Sequence, residues 1–541
     1  MGILSVQLAR TVAAILSLAA LLTQCSDPAP LRPKHVVLIV VDTLRADHLS
    51  TYGYRRPTSP ELDKLAKSGV VFEQAASQGS WTVPSMVSMM TGAYLSEELM
   101  RVPEEQATVA QVFQRGGFAT GAFIYNDVID IDAGFQPGFE LFEFKDAPYG
   151  PIDKIAAWFA ANKGRKSFTY IHLNEAHDPY APPSEYDRFV REKDSIPAAR
   201  LEYYREITRD LKLAEFDRNI QHINEQIGGY DDDVAYSDAH IGRILTALRA
   251  GGEWEETAIV IAADHGEGLW TRPQFMTSSR AAALRRGDKP SISNTLQMTH
   301  GNLVNVELVH VPLIMVAPGM PKGVRVKPWV ENVDIAPTLL ELCDLPLPPS
   351  FKGASLLPLW NEPEVIAHQK RGSFSHTRLV SSFLDQDGFQ LILPTPLGEC
   401  QFDLEPELYD LRTDPEARVN LAKTSPDVVR RLSDEVKSRL SIGISEYQVP
   451  SAGQLSKLNA LGYIDANIVN TLAATFAKLS VEELLTEMAD PKNINCLVRI
   501  ELLRSLGSRK LNDEQRAQLH SMRTAEISKT IQDEIDRVLA Q

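Results

Sequence analysis

Cysteine is scarce in this chain, with 4 in 541 residues. Cys25 stands near the start, and Cys343, Cys400 and Cys496 lie far apart, odd in number and at no zinc-ligand spacing. That excludes a disulfide framework and a structural zinc module, and leaves buried free thiols as the expectation. Basic charge is also short: Lys and Arg number 55 against 71 Asp and Glu, for a formal net charge of −16. Without a basic stripe, a nucleic-acid partner is excluded. An anionic small molecule is not, because a metal ion or a helix end can reverse the field locally. Long hydrophobic runs are missing too. The stretch Val12–Leu22 falls well short of the ~20 apolar residues that a spanning helix needs. It follows Arg10 and leads into Leu-Leu-Thr-Gln-Cys, the layout of an export signal over residues 1–25. Cys25 sits where a lipoprotein is acylated, although Gln24 occupies a site usually held by a small residue. The expectation is an exported protein, periplasmic or elsewhere in the cell envelope, with a membrane tether through Cys25 and Ser26–Pro30 as a short linker.

What the chain does have is ample core-forming sequence, 44% apolar, enough for one large domain with additions. Val36–Val41 is a continuous apolar run of strand length, suited to a parallel strand covered on both faces. Further strands are expected at Ala119–Ile124, Ser167–Leu173 and Ala258–Ala262. Helices are expected at Ser59–Ser68, capped by Ser59 with Pro60 in the first turn, at Thr108–Arg115 and at Asp231–Ala250. This alternation predicts an α/β fold with a mostly parallel central sheet sandwiched by helices. Ser373–Pro394 and Glu407–Leu411 alternate like antiparallel strands and predict a small C-terminal sheet. Residues 467–541 show helical periodicity without a motif, and read as a helical appendix, either a packed bundle or a partner-binding module. Tyr186–Gly229 is charged, has helical stretches and reads as a cap over one side. Leu269–Thr299, carrying Arg272, Arg280, Arg285, Arg286 and Lys289, reads as a mobile loop near a site entrance.

Chemistry concentrates at the ends of the expected strands, where ligands bind in parallel sheets. Asp42 ends the first strand in VVLIVVDTLRAD, and Asp264 and His265 end another in AIVIAADHGEG. His172 and His177 fall at or beyond the strand at Ser167–Leu173, and His300 stands in THGN. In GSWTVPSMVSMMTG (Gly79–Gly92), Thr82 precedes Pro84 and a run of helical spacing. That is a way to present a hydroxyl at a helix N-terminus, where free N–H groups and the dipole favour an anion. Each residue alone has a plainer reading: Thr82 as a helix cap, Asp42 as a cap or salt bridge, and each histidine as hydrogen-bonded and structural. A carboxylate with an imidazole suits zinc or manganese, whereas an all-oxygen set suits calcium or magnesium.

Together these stretches resemble the sulfatase family of the alkaline-phosphatase superfamily. YIHLNEAHDPYAPP (Tyr170–Pro183), HGNLVNVELVHVPLIMVAPG (His300–Gly319), VENVDIAPTLLEL (Val330–Leu342), GASLLPL and ELYDLRTDPEARVNLA extend the resemblance in the family's order, over about Lys34 to Asp465. It implies a catalytic domain at 34–361, a small-sheet subdomain at 362–465 and the appendix at 467–541. It also implies one divalent metal, zinc, manganese or calcium, held by Asp42, Thr82, Asp264 and His265. Thr82 is then the nucleophile, forming a covalent ester, with His177 and His300 facing the anionic group of the ester substrate or holding a second metal. His172 is the weaker candidate. Sulfatases proper carry Cys or Ser where Thr82 stands, oxidised to an aldehyde; threonine gives no such aldehyde, so no formylglycine is expected. Met86 replaces the family's Arg, and Thr43 follows Asp42 where a second acid is common. These departures lean toward the phosphate-handling branches. The expected function is an exported, metal-dependent hydrolase of phosphate or sulfate esters. The alternatives are an envelope phosphoryl-group transferase and a non-catalytic binding protein on the same scaffold.

Overall fold

Uninterrupted apolar runs decide the centre of the molecule, which we describe from a computed structural model. The structure describes residues 32–95, 101–129, 132–144, 152–192, 196–207, 216–272, 300–361, 372–395, 398, 404–443, 478–488, 496–525 and 529–540. Strands β1 (His35–Val41), β5 (Ser167–Leu173) and β6 (Thr257–Ala263) are buried along their whole length. Such runs fit a strand with helices on both faces. With β2 (Val70–Ala76), β3 (Ala119–Ile124), β4 (Leu141–Phe144), β7 (His310–Val316), β8 (Val324–Val326) and β9 (Val330–Glu331), they form a nine-stranded sheet. Its order is β4-β3-β5-β1-β6-β7-β2-β8, with β9 also paired to β2. Only β7 runs against its neighbours, so the expected mostly parallel α/β sandwich is what the chain forms.

The expected helices are present, with two differences. The helix over Pro60–Ala66 takes no cap bond from the Ser59 side chain. Instead Asp238 accepts from the backbone N–H groups of Glu61 and Leu62, at 2.8 and 2.9 Å. A carboxylate from a neighbouring helix does the work of a local cap. The helix expected to start at Asp231 begins at Phe216 and runs to Ala250. The apolar periodicity continues upstream of Asp231 through Phe216, Ile220, Ile223 and Ile227, and Ile223 and Ile227 are buried in the main core. Gly228 and Gly229 let it come close to the preceding segment, because a Cβ on Gly228 would lie 2.6 Å from the carbonyl oxygen of Phe189.

The reading of Leu269–Thr299 as an entrance loop is corrected at its start. Leu269 and Trp270 are buried in the core, and Arg272 is buried, bonded to Glu307 and to the carbonyl of Ala417. The remainder, with Arg280, Arg285, Arg286 and Lys289, lies outside the described residues, as do residues 1–25 with Cys25, Cys400 and the segment Ser456–Asp465. Cys343 is a buried free thiol, as expected.

The small antiparallel sheet is β10 (Gly372–His376), β11 (Val380–Asp385), β12 (Phe389–Pro394) and β13 (Glu407–Asp410). The helix Pro426–Ile442 covers it through Leu432 and Val436, which pack with Phe374, Phe383 and Leu391. Gln78 joins this sheet to the main one. Its backbone carbonyl accepts from the N–H of His376 at 2.9 Å, and its side-chain carbonyl from that of Val333 at 2.8 Å. Toward the C-terminus, helices Val481–Met488, Cys496–Gly507, Asp513–Ala525 and Lys529–Ala540 share a core of their own around Leu484, Leu502, Leu519 and Ile535. Among the described residues no helix is long and apolar enough to cross a membrane.

Candidate active site

Register brings the candidate residues together. Val41 of β1 pairs level with Leu173 of β5 and Ala263 of β6. One step beyond, Asp42 and Asp264 leave adjacent strands at the same height. The N–H of Asp42 still donates to the carbonyl of Leu173 at 2.8 Å. Thr43 then turns with φ of 56°, a left-handed conformation that costs a residue with a Cβ roughly 1–2 kcal/mol. Its hydroxyl bonds the carbonyl of Ala176 at 2.7 Å, and its N–H donates to Asp264 Oδ1 at 3.3 Å. The turn is thus fixed from both flanking strand ends.

Thr82 is the first residue of the helix Thr82–Thr91, entered from an extended Trp81 with no side-chain cap. The helix's first N–H groups therefore face the strand ends. Thr82 Oγ1 lies 3.5 Å from Asp42 Oδ2 and 3.4 Å from His265 Nε2. Asp42, Thr82, Asp264 and His265 are all fully buried.

Each carboxylate is satisfied on one side only. Asp42 Oδ2 accepts from Asn126 Nδ2 at 2.5 Å, and Asp264 Oδ1 from the N–H of His265 at 2.7 Å. Asp42 Oδ1 and Asp264 Oδ2 have no hydrogen-bond partner. Both turn toward His265 Nε2, at 3.3 and 3.4 Å. His265 Nδ1 sits 2.9 Å from the carbonyl of Gly266, which places a proton there and makes Nε2 the ring nitrogen that would give its lone pair to an ion. One ligand atom from each of the three residues lies within 4.8 Å of the others. Two buried anionic oxygens without donors are costly unless a cation joins them. The donor set therefore fits a divalent metal.

The electrostatics agree. Burial alone would push the Asp42 carboxyl up, but His265, whose Nε2 lies 3.3 Å from Oδ1, and the charges of His177 and His172 hold it well below the usual carboxylate range. Asp264, buried beside ionised Asp42, is pushed up to about 7. Burial lowers His265, and the two aspartates overcome this and raise it to about 9. A proton thus offsets the excess negative charge, the role a dication takes when it displaces protons from its ligands. His172 is buried and lowered to about 4. Its Nε2 stands 3.8 Å from Asp264 Oδ2, while Nδ1 bonds the Tyr170 hydroxyl at 2.6 Å.

His300 and His177 line the next layer. The His300 ring centroid is 4.4 Å from that of His265 and 5.3 Å from that of His177. His300 Nδ1 faces Glu267 Oε2 at 3.1 Å, and Glu267 Oε1 accepts from the N–H of Gly268 at 2.8 Å. Burial lowers the His300 pKa against the pull of Glu267. Burial also opposes the charged form of His177, but Asp42 and Glu267 raise it overall. The whole predicted set is therefore gathered at one place. Two participants were missing from it. Glu267 lay in view inside DHGEG. Asn126 follows the end of β3 and was open to the same strand-end logic that singled out Asp42.

A family model described as Sulfatase matches residues 34–345. Arylsulfatase K of Rattus norvegicus is 25% identical over 465 residues, 75% of this chain and 77% of that protein. Arylsulfatase A of Homo sapiens is 25% identical over 372 residues, 63% of this chain and 70% of that protein. In fold, the chain is similar to the phosphonate monoester hydrolase of Silicibacter pomeroyi, with a TM-score of 0.58 at 20% identity, covering 76% of this chain and 96% of that one. A similar likeness holds for the phosphonate monoester hydrolase of Agrobacterium radiobacter, with a TM-score of 0.56 at 19% identity, covering 76% and 96%. Enzymes of this family use a metal, and the Asp42, Asp264 and His265 cluster is a site of the right composition for one. The chain belongs to the sulfatase family of ester hydrolases.

Proposed function

We propose that this protein is an exported, metal-dependent hydrolase of anionic esters in which Thr82 is the nucleophile. One observation carries the reading: the Thr82 hydroxyl stands at a helix N-terminus, 3.4 Å from His265 Nε2 and 3.5 Å from Asp42 Oδ2, beside two carboxylate oxygens that lack donors. Asp42 Oδ1, Asp264 Oδ2, His265 Nε2 and Thr82 Oγ1 would hold the ion. This mixed oxygen and nitrogen set favours zinc or manganese over calcium. When bound, the ion supplies a lowered pKa for the hydroxyl and charge neutralisation for the transferred group.

The chain's own residues do the rest. The Thr82 hydroxyl directs its proton at Asp42 Oδ2. As Oγ1 bonds to phosphorus or sulfur, the bond to the leaving oxygen breaks on the opposite side. The helix N-terminus faces the charge on the transferred group. In this reading His177, and His300 with its ring held by Glu267, give the leaving oxygen its proton. Water then resolves the ester on Thr82. A secondary alcohol oxidises to a ketone and not an aldehyde, so the proposal includes no formylglycine. Thr82, from which no aldehyde can form, is what favours phosphoester chemistry ahead of sulfate esters in this reading.

The test compares wild-type protein with Thr82→Ala on aryl phosphodiesters, phosphomonoesters and sulfates, together with metal analysis. The variant is expected to keep its melting behaviour, to bind metal more weakly through Asp42, Asp264 and His265, and to lose hydrolysis by several orders of magnitude at saturating metal. Undiminished turnover in the variant refutes Thr82 as nucleophile. The export reading is tested separately, by cell fractionation and by fatty-acid labelling that should disappear in Cys25→Ser.

A further inference from the structure

Asn126 is buried just past the end of β3, and all its hydrogen-bonding capacity is committed. Its Oδ1 accepts from the N–H groups of Val128 at 2.9 Å and Ile129 at 3.2 Å. Those two bonds fix which end of the amide is oxygen. Its Nδ2 donates to Asp42 Oδ2 at 2.5 Å and faces Asn174 Oδ1 at 3.4 Å. With both amide hydrogens directed at protein acceptors, none is left for a substrate oxygen. The side chain acts through Asp42.

We propose that Asn126 is the positioning residue that divides the labour of the two Asp42 oxygens. By occupying Oδ2, it holds that oxygen on the Thr82 side and turns Oδ1, which has no donor, toward His265 and Asp264. Without Asn126 the carboxylate keeps only the long 3.5 Å bond from Thr82 in a fully buried place and is less restrained about its last bond. This inference rests on the metal reading above. It predicts that the chain's affinity for a dication depends on an amide that never touches the ion, as outer-shell donors commonly do.

The experiment separates the two ends of the amide. Asn126→Asp keeps an oxygen for the N–H groups of Val128 and Ile129 and replaces the donor to Asp42 with a second acceptor. Asn126→Ala removes both. Full-length protein is titrated with Mn2+ against a chromophoric chelator, melting is followed in parallel, and kcat and KM are measured on an aryl phosphodiester at saturating Mn2+. Both variants are expected to bind Mn2+ about 10- to 100-fold more weakly than wild type. kcat should fall, KM should stay within about threefold, and Asn126→Asp should melt close to wild type. Wild-type or tighter Mn2+ affinity in Asn126→Asp, with loss confined to Asn126→Ala, would show that Asn126 merely ties its turn and overturns the proposal. Should Asn126→Ala not fold, Asn126→Asp alone decides. A wild-type protein that binds no Mn2+ or Zn2+ overturns the metal reading itself, an outcome distinct from the previous one.

Discussion

Gly266, between His265 and Glu267, has no room for a methyl group. A Cβ there would lie 2.1 Å from the carbonyl oxygen of Glu307 and 3.1 Å from its carbonyl carbon. The obstacle is backbone, so no side chain can swing aside. To reach even 3.0 Å, a separation below which real Cβ contacts essentially never fall, the two segments must part by about 0.9 Å. That movement also breaks the bond from the Gly266 N–H to the carbonyl of Leu308, now 2.7 Å long. Overpacking of this kind costs about 1–3 kcal/mol, and a buried bond left unmade about as much again. Gly266→Ala is therefore expected to lose about 2–6 kcal/mol of stability. The catalytic effect should be larger than the fold effect. His265 and Glu267 flank the displaced residue, and a shift of about 1 Å in a reacting group costs on the order of a hundredfold in rate. The assay pairs urea denaturation with steady-state hydrolysis of an aryl phosphodiester. A Gly266→Ala protein within 1 kcal/mol of wild type and within about threefold in kcat/KM would refute the reasoning, because the close approach of the two segments would then carry no constraint.

Two further outcomes follow from the same geometry. Glu267→Gln keeps the shape beside His300 but removes the charge 3.1 Å from Nδ1. Hydrolysis of esters with poor alkyl leaving groups should fall about 10- to 100-fold more than that of nitrophenyl esters, which need little protonation; equal losses on both would remove His300 as the proton donor. Asp233 sits buried on the long helix with one oxygen lacking a partner, and burial, with Glu175 and Asp232 nearby, pushes its carboxyl up to about 9. The folded protein thus keeps a proton that the unfolded chain releases near pH ~4, so this contribution to stability is full below about pH 4 and is lost as pH rises toward 9. Asp233→Asn should accordingly gain in melting temperature, relative to wild type, at pH 8.5 compared with pH 5; an equal difference at both values contradicts the assignment.

Four strands of the sheet, β1, β3, β5 and β6, were readable because they are buried on both faces. Val36–Val41, Ala119–Ile124 and Ser167–Leu173 announce themselves as apolar runs that end in polar residues, and the strands stand within a residue of those limits. The metal-site candidates were readable for the same reason: Asp42, Asp264 and His265 interrupt such runs abruptly. What escaped were side chains whose role depends on a distant partner. Asp238, on one helix, caps another, and its own neighbourhood in sequence gives no sign of this. Arg272 looked like one cation of an exposed loop, yet it is buried against Glu307. The first half of the helix Phe216–Ala250 was read as part of a charged cap, although its Ile223 and Ile227 are buried in the core. Local patterns report burial against the chain's own sheet, and say little about polar contacts that tertiary structure alone creates.

The claim on which everything turns is that the Thr82 hydroxyl becomes covalently joined to the group it removes. High-resolution mass spectrometry of wild-type protein, acid-quenched during turnover of aryl phosphate and aryl sulfate esters, measures this directly. The account predicts a phosphate adduct, or failing that a sulfate adduct, on the peptide containing Thr82, absent from Thr82→Ala. Rapid turnover with that peptide unmodified throughout, or an adduct mapped to another residue, would contradict it.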